Sequence, residues 1–579
     1  MFFAVLIALA YAIFSAGRLL AVRQPLRREN FTLATAWCAG YGAFLLWWLA
    51  AQPLLGAGSW VTPAAFVFAT GVLAGALYQQ WHHWPREQHH NAHIIISLLI
   101  GAPLLAALWQ VFPQGEFFWQ QAAAAAALGQ LGAWPTPAQL PAALLPAVPG
   151  LMPLLTPLAA LGHIAQPPVL PLLVNLGCLL AAGGALLVAL NWPVRWSNLP
   201  LVAAGGLAVV AVANPWMPYI EVLNAQSQVP AALALLVAVL PLLNPMPLAG
   251  GATALGPALS LVTLTLLHPL GWLLSLWVAV VYKVRMLAEG VVSPDHARRH
   301  ALALTLLATL PTLAWCGWQI ALQPFNADIV HLLLSPQTFA AALLAQVPAA
   351  ASGSHATFML QSCIIGASLL AGLKPILGRS ATSTRHLSTT YAPFFVPVML
   401  LVPPLVLVAV LSPQKAKNLL EVQQFVWLVP LAAWAAQRYR HSAWRGRLFG
   451  APWGYGSVFC ILLFSLMLFA SKPAPGTPAP WASVAADLRA YPLVLTSGLP
   501  PAAINEMSYH SNGYTHIWPI PDNQKAASMA LLHQNAVPLL TSANALPSLG
   551  ITAQAPAPLL LFQPEANGVR LLNKWNVTP

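Results

Sequence analysis

The feature that most limits what this chain can fold into is its succession of apolar runs, each about 20 residues long, separated by short clusters of Arg and Lys. A run of that length matches the hydrocarbon thickness of a bilayer when helical. Water cannot satisfy backbone groups there, so each run must close its own hydrogen bonds as a helix. Over 579 residues, 59% are hydrophobic and 6% charged. Soluble domains carry about 25% charged residues, and the difference excludes an ordinary globular chain. The reading is a polytopic α-helical membrane protein.

Spans are expected near 2–20, 32–52, 62–80, 93–112, 168–191, 199–215, 229–246, 253–268, 270–284, 301–321, 357–373, 393–412, 422–437 and 449–470, about fourteen in all. His268-Pro269 divides a run that is too long for one helix, and two spans there keep the charge pattern in phase on both sides. With the first span starting outside, Arg18, Arg23, Arg27, Arg28, Arg86, Arg195, Lys283, Arg285, Arg298, Arg299, Lys374, Arg379, Arg385, Arg438, Arg440, Arg445 and Arg447 fall inside. Only Lys415 and Lys417 lie in outer loops, as positive-inside orientation requires. The net charge of +12 is therefore an orientation signal, and no basic stripe or tail points to nucleic acid.

The N-terminal basic residues follow the first apolar run, the reverse of a cleavable signal peptide, so that run is read as a retained span. Cys38, Cys178, Cys316, Cys363 and Cys460 have no CxxC spacing and read as packing residues. Five histidines in "WHHWPREQHHNAH" fall at an inner span junction, where interfacial His and Trp are common. Neither a P-loop nor a GxSxG or HExxH motif occurs.

Two long outer segments, 113–167 and 322–356, carry apolar positions at helical spacing interrupted by Pro, which predicts helices lying along the membrane surface. After Ala470 comes the Pro-rich linker 471–482. Residues 483–579 then read as a small outer α/β domain, with strand runs "YPLVLTS", "THIWPI", "AVPLLTS" and "PLLLFQ" and helical signal in "NQKAASMALLHQN".

The outer loops hold few acids: Glu116, Glu221, Asp328 and Glu421. Glu116 is the one charged side chain of "GEFFWQQAAAAAALGQLGAWPTP", about a turn past the fourth span. His163 closes the first long loop, His268 caps the hairpin, and His331 and His355 bound the second long loop. An acid at the mouth of an apolar cavity, with cations near, suits sugar transfer from a lipid phosphate. The carboxylate takes the acceptor hydroxyl's proton, and the cations meet the negative charge that grows on the leaving phosphate. The same Glu116 also fits as an acid favoured by a helix N-terminus for a few tenths of a kcal/mol; Glu221 also fits a solvated loop, and the lysines an interface.

The order "GEFFWQQAAAAAALGQLGAWPTP", "HIAQPPVLPLL", "NPWMPYIEVLNAQSQVPAALALL" and "LLHPLGWLLSLWVAVVYKVR" resembles bacterial GT-C glycosyltransferases that use polyprenyl-phosphate sugars. These are related to protein O-mannosyltransferases and lipid A aminoarabinose transferases. The tail stretch "VLTSGLPPAAINEMSYHSNGYTHIWPIP" resembles the small α/β domain that often ends such proteins.

The resemblance implies a transmembrane catalytic domain over 92–470 preceded by extra spans in 1–91, and a periplasmic domain over 483–579. It also implies a bacterial inner-membrane location and a polyprenyl-phosphate-linked sugar as donor. The acceptor would be a lipid, polysaccharide or protein. Glu116 matches the family's catalytic acid, which is usually Asp, and Glu221 is a second acid. Lys415, Lys417 and His268 are candidates for the donor phosphate; His163, Asp328, His331 and His355 are candidates for the acceptor or cavity. No cofactor or metal is required. A lipid or polysaccharide flippase, or a non-catalytic scaffold of an envelope polysaccharide machine, is the alternative; a transporter would call for paired ionisable residues at the midplane and repeat symmetry.

Overall fold

A computed structural model describes chiefly residues 10–17, 33–55, 148–154, 228–243, 255–289, 293–322, 392–441, 480–511, 515–519, 537–549, 557–565 and 568–577, with isolated positions between them. Among the described residues of the apolar part, besides a helical stretch over 10–17, the helices are α1 (Leu33–Leu55), α2 (Gln228–Leu243), α3 (Leu255–Leu267), α4 (Gly271–Glu289), α5 (Pro294–Leu322), α6 (Ala392–Leu411) and α7 (Pro413–His441). Among the described residues, two stretches, Gly271–Ala288 of α4 and Phe394–Leu411 of α6, are long and apolar enough to cross a membrane.

α3 is the hub, touching α1, α2, α4 and α5, while α2 touches α7. A helix enclosed by that many neighbours must be apolar all round. Every residue from Gly256 to Gly271 is buried, and so is every residue from Val229 to Val239 of α2. The hydroxyls inside α3 are all used: Ser260 donates to the Gly256 carbonyl, Thr265 to the Val262 carbonyl, and Thr263 to the Cys38 carbonyl of α1 at 2.8 Å. At this crossing Gly42 of α1 lies against the Leu259 carbonyl and the Thr263 hydroxyl, with no room for a Cβ. Gly17 and Gly40 make a second close approach, each facing the other segment's backbone. Small residues let helix backbones touch in this way, which drives association in lipid.

The outer helices show the opposite pattern. Leu302, Leu306, Leu310 and Leu313 form an exposed line down α5, and Val280, Val284 and Leu287 do the same on α4. These stripes sit at one-turn spacing, so each helix offers an unbroken apolar face away from its neighbours. Proline lies inside α2, α5, α6 and α7, a residue that membrane helices tolerate when neighbours satisfy the freed groups. The divided run behaves as its proline suggests: α3 stops at Leu267, and α4 begins at Gly271.

The C-terminal part holds α8 (Pro480–Leu488), α9 (Pro501–His510) and five strands: β1 (Leu493–Ser497), β2 (His516–Pro519), β3 (Leu539–Ser542), β4 (Leu559–Glu565) and β5 (Gly568–Trp575). The sheet order is β2-β1-β3-β4-β5, with β1 parallel to β2 and β3, and the remaining pairs antiparallel. Both faces are covered. Val494, Leu540, Leu559 and Leu561 pack with α8 and α9, while Leu495, Leu539, Leu560 and Phe562 form a second core opposite. Strands buried on both sides, as β1, β3 and β4 are, read as continuous apolar runs, and the four expected runs are β1 to β4. β5, "GVRLLNKW", escapes that reading because its exposure is mixed; it is one of the two edge strands of the sheet, β2 being the other. The helical stretch expected at 523–535 lies outside the described residues.

Candidate functional site

The hairpin between α3 and α4 shows how a histidine is held at a helix end. His268 N–H donates to the Leu264 carbonyl, and Gly271 N–H donates to the His268 carbonyl at 2.8 Å. Leu270 N–H donates to His268 Nδ1 at 3.1 Å, and the residue is 3% exposed. Pro269 supplies no N–H, so the imidazole accepts the next free donor in the turn. Nδ1 is thereby committed as an acceptor, and any group that His268 meets must be met through Nε2.

The second polar group lies along the first turns of α7, in "PQKAKNLLEVQQ". Lys415 is half-buried, and its burial lowers the ammonium below the usual lysine range. The backbone of Lys417 is helical, and its side chain lies outside the described residues. Asn418 and Glu421 are 4% and 5% exposed and one turn apart, so both face the interior of the bundle. Gln423 is fully buried, and its Nε2 donates to the Leu401 carbonyl of α6 at 3.4 Å. An ionisable group enclosed by apolar helices has a functional explanation as its first candidate, because burial alone is costly.

Glu421 is thus the described acid that most resembles a working group, yet its sequence context suggests only an outer acid among glutamines. The usable signal was its spacing from Asn418. Glu116, Glu221, His163, Asp328, His331 and His355 lie outside the described residues. Among the described residues, no group of three or more His, Cys, Asp or Glu is placed to hold a metal.

The C-terminal domain has its own ionisable pair on α9. Glu506 Oε1 lies 3.9 Å from His510 Nε2, and both side chains are mostly covered. Burial raises the Glu506 carboxyl to about 7. Burial, then the Arg489 charge, lowers the imidazole of His510 below its usual value. Arg489 Nη2 also donates to the His510 carbonyl at 2.8 Å, tying the end of α9 back to the end of α8. Comparison with protein-family models, curated proteins and solved structures finds no match for this chain.

Proposed function

We propose that this chain is a GT-C-type membrane glycosyltransferase of a bacterial inner membrane, with about fourteen spans and a periplasmic C-terminal α/β domain. It moves a sugar from a polyprenyl-phosphate donor to a lipid, polysaccharide or protein acceptor at the outer face. Glu116 is the base, with Glu221 a second acid or an acceptor-positioning group; Lys415, Lys417 and His268 are the candidates for the donor phosphate.

The observation that carries the reading is a polar strip on α7, with Lys415, Asn418 and Glu421 set into an otherwise apolar bundle, ahead of an α/β domain. That order of parts is what the resemblance implies. In the proposed chemistry, the Glu116 carboxylate takes the proton of the acceptor hydroxyl as its oxygen attacks the anomeric carbon. The bond to the phosphate oxygen breaks, and the lysine ammoniums stabilise the charge left on the lipid phosphate.

The test is sugar transfer by the full chain in membranes, at matched protein levels, with labelled polyprenyl-phosphate hexoses. Glu116→Gln should lower the rate by about 10² to 10⁴, the usual contribution of a general base. Glu116→Asp should keep part of it. A wild-type rate in the Gln variant removes Glu116 from the mechanism, and absence of transfer from any such donor removes the reaction itself.

A further inference from the structure

A different pair of residues, at the start of α5 just ahead of its exposed leucines, carries an inference beyond glycosyl transfer. The helix starts at "SPDHARRH". Ser293 accepts the His296 N–H on its Oγ at 3.3 Å, and its carbonyl accepts the Ala297 N–H at 3.1 Å. Pro294 follows, with φ already suited to a helix and no N–H to lose, and Asp295 stands in the first turn. The first turn is therefore well fixed. His296 and His300 sit one turn apart on it, where side chains four residues apart are neighbours with Cβ atoms about 5–6 Å from each other.

Both imidazoles have a buried nitrogen, His296 Nε2 and His300 Nδ1, with no hydrogen-bond partner among the described residues. The ring of His300 lies 5.8 Å from that of Tyr282 on α4, which limits its freedom. The hydroxyl proton of Tyr282 is taken by the Ala238 carbonyl, so Tyr282 donates to neither imidazole. Buried polar atoms are nearly always satisfied, and two orphans one turn apart call for a shared partner.

We propose that His296 and His300 form a two-imidazole chelate for a borderline transition-metal ion, Zn²⁺ or Cu²⁺. Neutral imidazole nitrogens bind such ions at about 2.0–2.1 Å, and imidazole suits Zn and Cu among the common metals. Water or a further group completes the coordination. Arg298 and Arg299 are exposed. The helix N-terminus and these cations oppose any added positive charge, so the site depends on ligation and not on field.

The probe is Cu²⁺ added to the detergent-purified full chain, in a background where His82, His83, His89, His90 and His93 are Gln, which removes the competing inner cluster. Bound copper is counted by equilibrium dialysis and its nitrogens read by pulsed electron paramagnetic resonance. The chain with both histidines should hold one more copper than His296→Gln/His300→Gln, with a two-imidazole signature. His296→Gln or His300→Gln alone should give a one-imidazole signature and at least roughly tenfold weaker binding, a loss typical of perturbed metal sites. Zn²⁺ should compete for the same site only in large excess, because Cu²⁺ binds nitrogen ligands more tightly. If His300→Gln fails to fold, His296→Gln carries the test alone. Equal copper count and affinity with and without the pair would overturn the proposal.

Discussion

The hydroxyl of Tyr282 on α4 donates to the carbonyl oxygen of Ala238 on α2 at 2.8 Å, in the interior of the helical bundle. One turn further on each helix, Arg285 Nη1 reaches the Pro241 carbonyl at 3.5 Å. The matching one-turn steps mean that α2 and α4 run side by side in the same direction. Pro241 stands two residues before the end of α2, where the last carbonyls lack intrahelical donors. A guanidinium at a helix C-terminus satisfies one of these groups and complements the dipole.

Tyr282→Phe keeps the ring against His300 and removes the donor. The expected loss is about 0.6 kcal/mol and no more than about 1.7, the range measured for hydrogen bonds between membrane helices. Reversible unfolding in mixed micelles checks this. A loss of several kcal/mol would mean that the ring, and not the hydroxyl, holds α2 to α4.

The two parallel-strand ends of the C-terminal domain meet at Gly498, which has φ +69°. A Cβ there would lie 2.6 Å from Ser542 Oγ and 2.5 Å from Ala545 Cβ. Gly498→Ala should therefore cost about 1–3 kcal/mol from the left-handed backbone, with the steric contact adding to it. Protease sensitivity of the C-terminal domain, compared with Ser548→Ala at an exposed position nearby, reads the effect. Equal sensitivity would show that the loop after β1 can relax away from the turn at Ala543–Ala545.

Stability of the same domain should vary with pH through Glu506. Its folded carboxyl titrates at about 7, above the ordinary value of 4.5, because burial disfavours the charge. The folded form then binds a proton that the unfolded chain has released. The stabilising contribution is complete below about 4.5 and is lost as pH rises to about 7. His510 acts in the opposite sense: its lowered value removes stability as pH falls below 6.5. Arg489 beside His510 and Asp487, which accepts from Asn573 and Trp575, are the charged neighbours on the adjoining segments. Glu506→Gln should flatten the decline between pH 5 and 8 in tryptophan-monitored melting and raise the midpoint at pH 8. An unchanged profile would place the carboxyl in solvent.

The proposed orientation predicts labelling of single cysteines in a chain otherwise free of cysteine. Positions 417 and 548 should react with a membrane-impermeant thiol reagent in intact cells, and positions 298 and 440 should not. Reaction of position 298 together with 417 would reverse or break the alternation of basic loops on which the orientation rests.

The helical character of the apolar part was legible in the sequence for one physical reason: an apolar run of bilayer length has few ways to satisfy its backbone. The same logic exposes β1, β3 and β4, whose residues enter both cores and make apolar runs. The break at His268-Pro269 was readable because proline cannot continue a helix on its own terms. What local pattern could not decide is which faces meet. Gly42 looks like any glycine in an apolar helix until the Leu259 carbonyl is seen against it. Glu421 reads as a loop acid until α7 turns it inward. His296 and His300 are two polar residues among arginines until their inner nitrogens prove buried and unsatisfied. Burial, close approach and unmet hydrogen bonds belong to pairs of segments distant in the chain, so only the tertiary structure supplies them.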